Sequence, residues 1–167
     1  VNEEVSDDIF TVHEVLAASG AIEIHTAESE EQRLRFWAGR KAAFPAVGRL
    51  APDYYCMDGT IPRAQLPHVL RRISEMSLEF GLAVANVFHA GDGNLHPLIL
   101  FDANQPGELH QAEAFGSKIL ELCVEAGGTI TGEHGVGIEK INQMCAQFAT
   151  PELTRFHEVK AAFDPDK

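Results

Sequence analysis

The sequence predicts an α+β fold, namely a ferredoxin-like split β-α-β sandwich with an antiparallel sheet and helices on one face, followed by C-terminal helices. Two observations predict this fold. Between residues 53 and 131 the patterns follow the order strand, helix, strand, strand, helix, strand, which is the ferredoxin-like order. In addition, Asp92-Gly93 stands between the two central strand patterns, and this dipeptide is a strong signal for an antiparallel hairpin.

The segment before residue 50 begins with helical patterns. Residues 29 to 32 read Ser-Glu-Glu-Gln, a capping box, and apolar residues follow at helical spacing. A helix is therefore predicted over residues 30 to 43, ended by Pro45. Upstream, residues 7 to 26 indicate a short helix followed by a strand over residues 21 to 26.

The ferredoxin-like part begins with an aromatic run. Residues 53 to 57 predict a strand closed by a turn at Asp58-Gly59. A helix is predicted over residues 64 to 79, with Pro67 in the first turn, where no backbone donor is needed, and Gly81 as a left-handed cap. Its predicted inward-facing residues are Leu66, Val69, Leu70, Ile73, Ser77 and Phe80.

Two strands around a glycine-rich turn come next, over residues 82 to 89 and 94 to 101. A long helix is predicted over residues 107 to 125, ended by Gly127-Gly128. A last short strand is predicted over residues 129 to 131. The inward face of the long helix is predicted to comprise Leu109, Ala112, Phe115, Ile119, Cys123 and Ala126.

After the last strand the chain is predicted to be helical, with Thr150 as a cap and Pro151 in the first helical position. Three divisions are expected: residues 1 to 50 as the N-terminal part of a cap domain, 51 to 135 as the ferredoxin-like substrate core, and 136 to 167 as a C-terminal helical segment. The inward residues of the last helix are predicted to be Leu153, Phe156 and Val159.

Composition limits the expected partners and compartment. The formal net charge of -12 at pH 7 argues against nucleic acid, because phosphate binding needs clustered lysine and arginine. No stretch approaches the roughly 20 apolar residues of a membrane span, and no targeting signal is seen, so a cytoplasmic protein is expected. Cys56, Cys123 and Cys145 are expected to be small buried side chains in a reducing compartment.

Chemistry-bearing side chains concentrate at two junctions between strand and loop. His89 and His96 flank the predicted hairpin turn, so both imidazoles are expected to face one point from adjacent strands. Glu133 and His134 follow the last predicted strand. Because that strand pairs with the first strand in a ferredoxin-like sheet, Glu133 is expected to reach the histidines from the loop beyond it. The other histidines, expected to be ordinary surface or packed residues, are His13, His25, His68, His110 and His157.

This set of residue types is typical of an open metal site. Two histidines and one carboxylate bind a divalent metal while leaving positions free for substrate oxygens. His134 would be left unligated, and an imidazole beside a metal suits a general base, since imidazole exchanges protons near neutral pH.

Two segments resemble a known family. Residues 86 to 102 (NVFHAGDGNLHPLILFD) and 127 to 140 (GGTITGEHGVGIEK) resemble the signature of the FAD-linked oxidase C-terminal domain of vanillyl-alcohol-oxidase-type flavoproteins. Residues 37 to 63 (WAGRKAAFPAVGRLAPDYYCMDGTIPR) narrow the resemblance to the glycolate oxidase branch of this family. The resemblance runs from about residue 30 to the end of the chain.

The resemblance implies roles for individual residues. It implies that His89, His96 and Glu133 hold a divalent metal, with zinc preferred to manganese or iron. It implies that His134 is the catalytic base and contacts the substrate. It implies that Arg40 grips the substrate carboxylate, a task that suits a bidentate guanidinium. The residues implied in cofactor binding are Asn94, Gly132 and Glu133.

The resemblance also implies the activity of the whole enzyme, an FAD-dependent oxidation of glycolate, and of D-lactate, to the 2-oxo acid. Cys56 stands where relatives that take 2-hydroxyglutarate tend to carry lysine, which favours a small acid. The implied partners are an iron-sulfur subunit and a second flavin-type subunit of a glycolate oxidase complex, through which the enzyme would associate with a membrane. Since most of the flavin site is implied to lie in an N-terminal FAD-binding domain absent here, the chain alone is expected to be an inactive, colourless fragment.

Two other functions fit the same residues. A metal-dependent hydrolase would use His89, His96 and Glu133 as ligands and His134 to activate water, and the isolated chain would then cleave an ester or a phosphate without flavin. A ferredoxin-like binding module without catalysis would keep its ligand after loss of both hairpin histidines.

Overall fold

The computed structural model describes residues 2–166 and confirms the α+β class. Val1 and Lys167, the outermost residues of the predicted divisions, lie outside the described residues. The chain divides into two compact units, Val1–Phe44 and Pro45–Lys167. The three-part division expected from the sequence stays a prediction.

The N-terminal unit is helical, with α1 spanning Asn2–Ala18 and α2 spanning Glu30–Val47, so that α2 continues past the unit boundary. The capping box at the start of α2 forms in part. Ser29 Oγ accepts the backbone N–H of Gln32 at 3.2 Å, as predicted. The reciprocal bond goes one residue further back, because Gln32 Oε1 accepts the N–H of Glu28 at 2.7 Å.

Two predictions for this region were wrong. Helix α2 does not end before Pro45 but contains it in its last turns; the fixed φ of proline suits a helix, and only the local backbone bonding is weakened near the end. The strand predicted over residues 21 to 26 does not form. Among the described residues no strand pairs with that segment. An unpaired extended segment gains no hydrogen bonds from a neighbouring strand.

The C-terminal unit contains a four-stranded antiparallel sheet. Strands β1 (Asp53–Cys56) and β2 (Gly59–Thr60) both pair with β4 (Asn94–Phe101), and β3 (Val84–His89) also pairs with β4. The register against β4 is the same before and after the two residues that separate β1 from β2. They therefore act as one interrupted strand, and the predicted hairpin of β3 and β4 is confirmed.

The ends of the first and last predicted strands differ from expectation. The turn predicted at Asp58-Gly59 was wrong, because Gly59 pairs with Leu95 within the sheet. The strand predicted over residues 129 to 131 is reduced to one antiparallel bridge between Thr60 and Thr129. It stops there because Thr131 turns its hydroxyl toward Asp58 at 2.7 Å. The bridge still places the last segment beside the first strand, as in the ferredoxin-like order.

Two helices pack against the sheet: α3 (Leu66–Phe80), preceded by a 3-10 turn at Arg63–Gln65, and α4 (Glu108–Glu125). As predicted, Pro67 lies in the first turn of α3 and Gly81 ends it with a left-handed φ of 66°. The core between helices and sheet includes Met57, Val69, Ile73, Leu95, Ile99, Ala112, Phe115, Ile119, Cys123 and Ile130.

The helical stripes were predicted with some errors. In α3 the buried stripe of Val69 and Ile73 continues at Met76 and not at the predicted Ser77. Ser77 instead donates its hydroxyl to Leu82 O at 2.7 Å and so caps the end of the helix. In α4, Leu109 is 46% exposed. It lies in the first turn of its helix, and spacing alone does not show where packing against a neighbour begins.

The C-terminal segment forms a 3-10 turn at Ile141–Gln143, then α5 (Met144–Gln147) and α6 (Thr150–Phe163). The cap of α6 is Ala149, one residue before the predicted Thr150, so Pro151 occupies the second helical position and not the predicted first. Phe156 and Val159 were predicted to face inward but are exposed, because α6 packs mainly against the short helix α5. Within residues 2–166, no helix combines the length and apolarity needed to cross a membrane.

Candidate active site

The hairpin places His89 and His96 on one face of the sheet. His89 is paired with Asn94 across the hairpin. Asn94 and His96 are two residues apart on β4, so their side chains point to the same face of the sheet. Leu95 and Ile99, between and beyond them, belong to the core under the helices. The two imidazole centroids are 5.4 Å apart and nearly perpendicular. Strand alternation therefore directs the two imidazoles away from the side of the sheet that carries Leu95 and Ile99.

The turn of this hairpin is packed closely against the neighbouring strand end. Gly93 has a left-handed φ of 74°, its N–H donates to His89 O at 2.9 Å, and its carbonyl accepts the N–H of Ile61 at 2.9 Å. A Cβ at this position would lie 2.1 Å from Ile61 O. Only glycine fits, so the turn fixes where both histidines stand.

Glu133 approaches the two histidines from the loop after the last bridge. Its Oε1 lies 3.8 Å from His89 Nε2, and its Oε2 lies 3.5 Å from His96 Nε2. The three residues offer ligand atoms that all lie within 4.8 Å of one another. The side chain of His96 is 6% exposed, against 39% for His89 and 55% for Glu133. The cluster is therefore anchored at His96 and open on the other side.

His134 lies beside this cluster. Its ring stacks on that of His96 with a centroid distance of 5.3 Å and an interplanar angle of 17°. Its side chain is exposed. An accessible imidazole therefore lies next to the three candidate ligands, and His134 is not itself one of these three residues.

Asp58 is the site residue that sequence reasoning missed. It is fully buried and, by the shared register of β1 and β2, stands opposite His96. Its carboxylate accepts three successive backbone N–H groups of the loop, from residues 132 to 134, and the Thr131 hydroxyl. The pair Asp58-Gly59 is typical of a turn, so no local sequence signal indicated this position.

The same hydrogen bonds set the ionisation of Asp58. Burial by itself would raise the pKa of this carboxyl group. The hydrogen bonds from His134 N–H, the Thr131 hydroxyl and the N–H groups of Glu133 and Gly132 outweigh burial and lower the pKa well below its usual range. Lys140, also buried, places Nζ 3.3 Å from Asp58 Oδ2. Asp58 is therefore a carboxylate that is held ionised beneath the loop.

Asn94 and Gly132 lie together at the edge of the cluster. Asn94 is buried, with Nδ2 3.5 Å from His96 Nε2, and its Oδ1 has no hydrogen-bond partner among the described residues. A Cβ on Gly132 would lie 2.8 Å from that oxygen and 2.6 Å from Thr60 Cγ2. Glycine is therefore needed for the loop to approach the sheet.

The remaining predicted residues lie elsewhere on the chain. Arg40 is exposed on α2 in the N-terminal unit, and its contact with substrate stays a prediction. Of the cysteines, all free, Cys123 is buried as expected and Cys56 half-buried, but Cys145 is exposed, which corrects that expectation; it lies on the short helix α5, outside the core. The five histidines expected to be ordinary, His13, His25, His68, His110 and His157, are exposed.

The donor set fits a divalent cation. His96 Nδ1 lies 3.3 Å from Met57 O, and a proton on Nδ1 leaves the Nε2 lone pair facing Glu133. A ligating histidine commonly donates its second ring N–H to a carbonyl or carboxylate in this way. For a flavin, the unpaired Asn94 Oδ1 is a buried acceptor that the described residues leave unused. The metal and cofactor roles of these residues stay predictions.

Comparison with known proteins identifies the family of the chain. The model of the family described as FAD linked oxidases, C-terminal domain, matches residues 1–167. The chain is 64% identical over 166 residues to glycolate oxidase subunit GlcD of Escherichia coli (strain K12), covering 99% of this chain and 33% of that protein. It is 32% identical over 163 residues to glycolate oxidase subunit GlcD of Bacillus subtilis (strain 168), covering 98% of this chain and 35% of that protein.

A more distant relative is the probable mitochondrial D-lactate dehydrogenase of Danio rerio, which is 26% identical over 166 residues, covering 98% of this chain and 33% of that protein. The chain thus spans about a third of the length of these curated relatives. Because the family model covers every residue of the sequence, the chain belongs to the FAD-linked oxidases, as the C-terminal domain of that family.

Proposed function

We propose that this chain forms the metal- and substrate-binding part of an FAD-dependent 2-hydroxy-acid oxidoreductase that oxidises glycolate, and also D-lactate, to the 2-oxo acid. The observation that carries the proposal is the convergence of His89, His96 and Glu133 within 4.8 Å with His134 stacked beside them. The substrate follows from the relatives, which are named as glycolate oxidase subunits and D-lactate dehydrogenases. The hydrolase and the non-catalytic module gain no support from the family match.

Each residue has a separate task in this proposal. His89, His96 and Glu133 hold a divalent cation, zinc in preference to manganese or iron, and leave its exposed side to the oxygens of the substrate. Arg40 binds the substrate carboxylate through a bidentate ion pair. His134 accepts the proton of the substrate hydroxyl on its accessible imidazole.

The bound groups supply the rest of the chemistry. A bound cation would supply polarisation of the substrate hydroxyl, and bound FAD would supply the acceptor for the α-hydrogen together with its bonding electron pair, that is, for one hydride. Asn94, Gly132 and Glu133 contribute the edge of this chain that meets the flavin. Cys56, with no charge to pair with a second carboxylate, keeps the substrate small.

The partners and compartment are part of the same proposal. The 64% identical relative is named as a glycolate oxidase subunit, which supports a complex of several subunits. The partners proposed in that complex are an iron-sulfur subunit and a second flavin-type subunit. The enzyme is cytoplasmic and associates with the membrane through those subunits. Residues 1–167 by themselves are expected not to turn over substrate, because most of the flavin site is proposed to lie in another domain.

The experiment is rapid-mixing measurement of flavin reduction by glycolate in the complete protein with His134→Ala. Because the substitution removes only the proton acceptor, we expect the rate to fall by at least about 100-fold, the lower range for a general base, with FAD still bound. The matched control is His110→Ala, which removes an exposed imidazole on α4 and leaves the rate unchanged. Flavin reduction at the normal rate in His134→Ala would overturn the assignment.

A further inference from the structure

Asp58 accepts hydrogen bonds from four successive residues of the site loop. Its Oδ2 lies 2.7 Å from Thr131 Oγ1, 3.0 Å from Gly132 N and 3.1 Å from Glu133 N. The fourth donor is His134 N at 2.8 Å. A buried carboxylate that receives several backbone N–H groups binds them strongly, since charge-assisted hydrogen bonds are about twice as strong as neutral ones.

These bonds act on exposed residues. Residues 132 to 135 are exposed, and the side chains of Glu133 and His134 reach over the sheet to the hairpin histidines. Their backbone is held from below, by a side chain that belongs to the first strand. The position of the loop thus depends on Asp58 rather than on packing of its own side chains.

Asp58 could instead be considered a ligand, because Asp58, His96 and His134 also offer atoms within 4.8 Å of one another. Two contacts oppose this. Asp58 Oδ2 is already occupied by the loop donors, and the buried ammonium of Lys140 lies 3.3 Å from it. A cation placed there would displace those donors and meet the positive charge of Lys140.

From these contacts we infer that Asp58 is a positioning residue, which holds Glu133 and His134 over the hairpin histidines in the geometry needed for metal binding and proton transfer. The inference rests on the proposed function of the His89, His96 and Glu133 cluster. Lys140 balances the buried charge of Asp58, and Thr131 Oγ1, 3.3 Å from Lys140 Nζ, joins the two. Asp58 also faces His96, with Oδ1 4.0 Å from Nδ1.

The first test is Asp58→Asn in the complete protein, with Zn²⁺ affinity measured by competition with a chromophoric chelator. The amide nitrogen places a donor against the loop donors, so we expect Zn²⁺ binding to weaken by about 10- to 100-fold, as for other residues that orient ligands. The rate of flavin reduction should fall while the KM for glycolate changes much less. Zn²⁺ affinity and flavin reduction both within about twofold of wild type, at the resolution of such effects, would overturn the inference.

The matched control is Asp102→Asn. Asp102 also accepts a backbone N–H, from Asn104 at 2.9 Å, but it follows the other end of β4, seven residues along the strand from the Asn94 end. Its loss should leave Zn²⁺ affinity unchanged. An equal loss of Zn²⁺ affinity in both variants would show a general effect of removing a carboxylate that accepts backbone N–H groups, and would contradict the inference.

A second measurement uses the wild-type protein and tests the role of Asp58 even if Asp58→Asn does not fold. Amide hydrogen exchange at single-residue resolution should show Glu133 and His134, whose N–H groups donate to the Asp58 carboxylate, protected at least about tenfold, as expected for amides held in a local hydrogen-bonded unit. Gly132 is left out of the test because its N–H also donates to Asp58 O at 2.8 Å. Gly91 and Gly135, whose N–H groups have no hydrogen-bond acceptor among the described residues, serve as references. Equal exchange in both groups would overturn the inference. If wild type binds no Zn²⁺ but the protection is found, the metal proposal fails and the anchoring by Asp58 stands.

Discussion

The site is built from two parts that are positioned by different physical means. His89 and His96 are fixed by strand register and by a turn whose glycine admits no side chain. Glu133 and His134 stand on a loop that leaves the sheet after a single bridge at Thr129. The first part lies within the sheet, whereas the second is held by hydrogen bonds to Asp58, mainly to its buried carboxylate and, from Gly132 N–H, also to its backbone carbonyl.

This difference separates stability from site geometry. The hairpin strand β4 is buried along its whole length. A substitution there should lower the free energy of unfolding and displace both histidines together. The loop contributes few apolar contacts, and a change there should displace Glu133 with a smaller loss of stability. The following predictions test the separation, beginning with the largest effect.

Gly93→Ala should give the largest loss of stability. The new Cβ would meet Ile61 O at 2.1 Å, and the left-handed φ of 74° strains any other residue. We expect the free energy of unfolding to fall by roughly 2–4 kcal/mol, the sum of backbone strain and overpacking, measured by denaturant unfolding of the complete protein. Gly91→Ala is the control, because a Cβ there meets nothing within 4 Å. Equal stability of the two variants would mean that the turn does not fix the hairpin.

Gly132→Ala should affect the site more than the fold. The new Cβ would lie 2.6 Å from Thr60 Cγ2 and 2.8 Å from Asn94 Oδ1, which forces the loop away from the sheet. We expect Zn²⁺ affinity to fall by about tenfold, with a loss of about 1 kcal/mol in unfolding free energy, typical of a single substitution. The same Gly91→Ala control applies. A large loss of stability with unchanged Zn²⁺ affinity would contradict the separation of the two parts.

The cysteines provide the mildest test, since they report whether the sheet stays closed. Burial, with a smaller contribution from Asp58, raises the pKa of the Cys56 thiol to about 11, and burial raises that of Cys123 to about 12. At pH 8 neither forms much thiolate, the reactive species. Exposed Cys145 should therefore be alkylated by iodoacetamide first, with no effect on Zn²⁺ binding.

Peptide mass spectrometry over time measures the order of alkylation. Unfolding in denaturant is the control and should make the three thiols react at similar rates, because burial is then lost. Cys56 is paired with Leu98 in the sheet. If it reacts as fast as Cys145 in the folded protein, strand β1 opens readily, and the claim that the sheet holds the hairpin histidines rigidly is wrong.

Local patterns predicted the elements that carry local signals. Strand β4 has the predicted bounds, and α3 and α4 differ from prediction by one or two residues. The failures have a common cause. Leu109 and Val159 lie at helical spacing but lack a neighbour that buries them, and the segment over residues 21 to 26 lacks a partner strand among the described residues.

The sequence by itself determined the α+β order, the hairpin with its two histidines, and the placement of Glu133 and His134 after the last strand, because periodicity and turn residues act over short distances along the chain. Only the tertiary structure revealed Asp58 as the support of that loop. Its backbone donors lie 74 to 76 residues away, and a hydrogen bond between such distant residues leaves no local pattern.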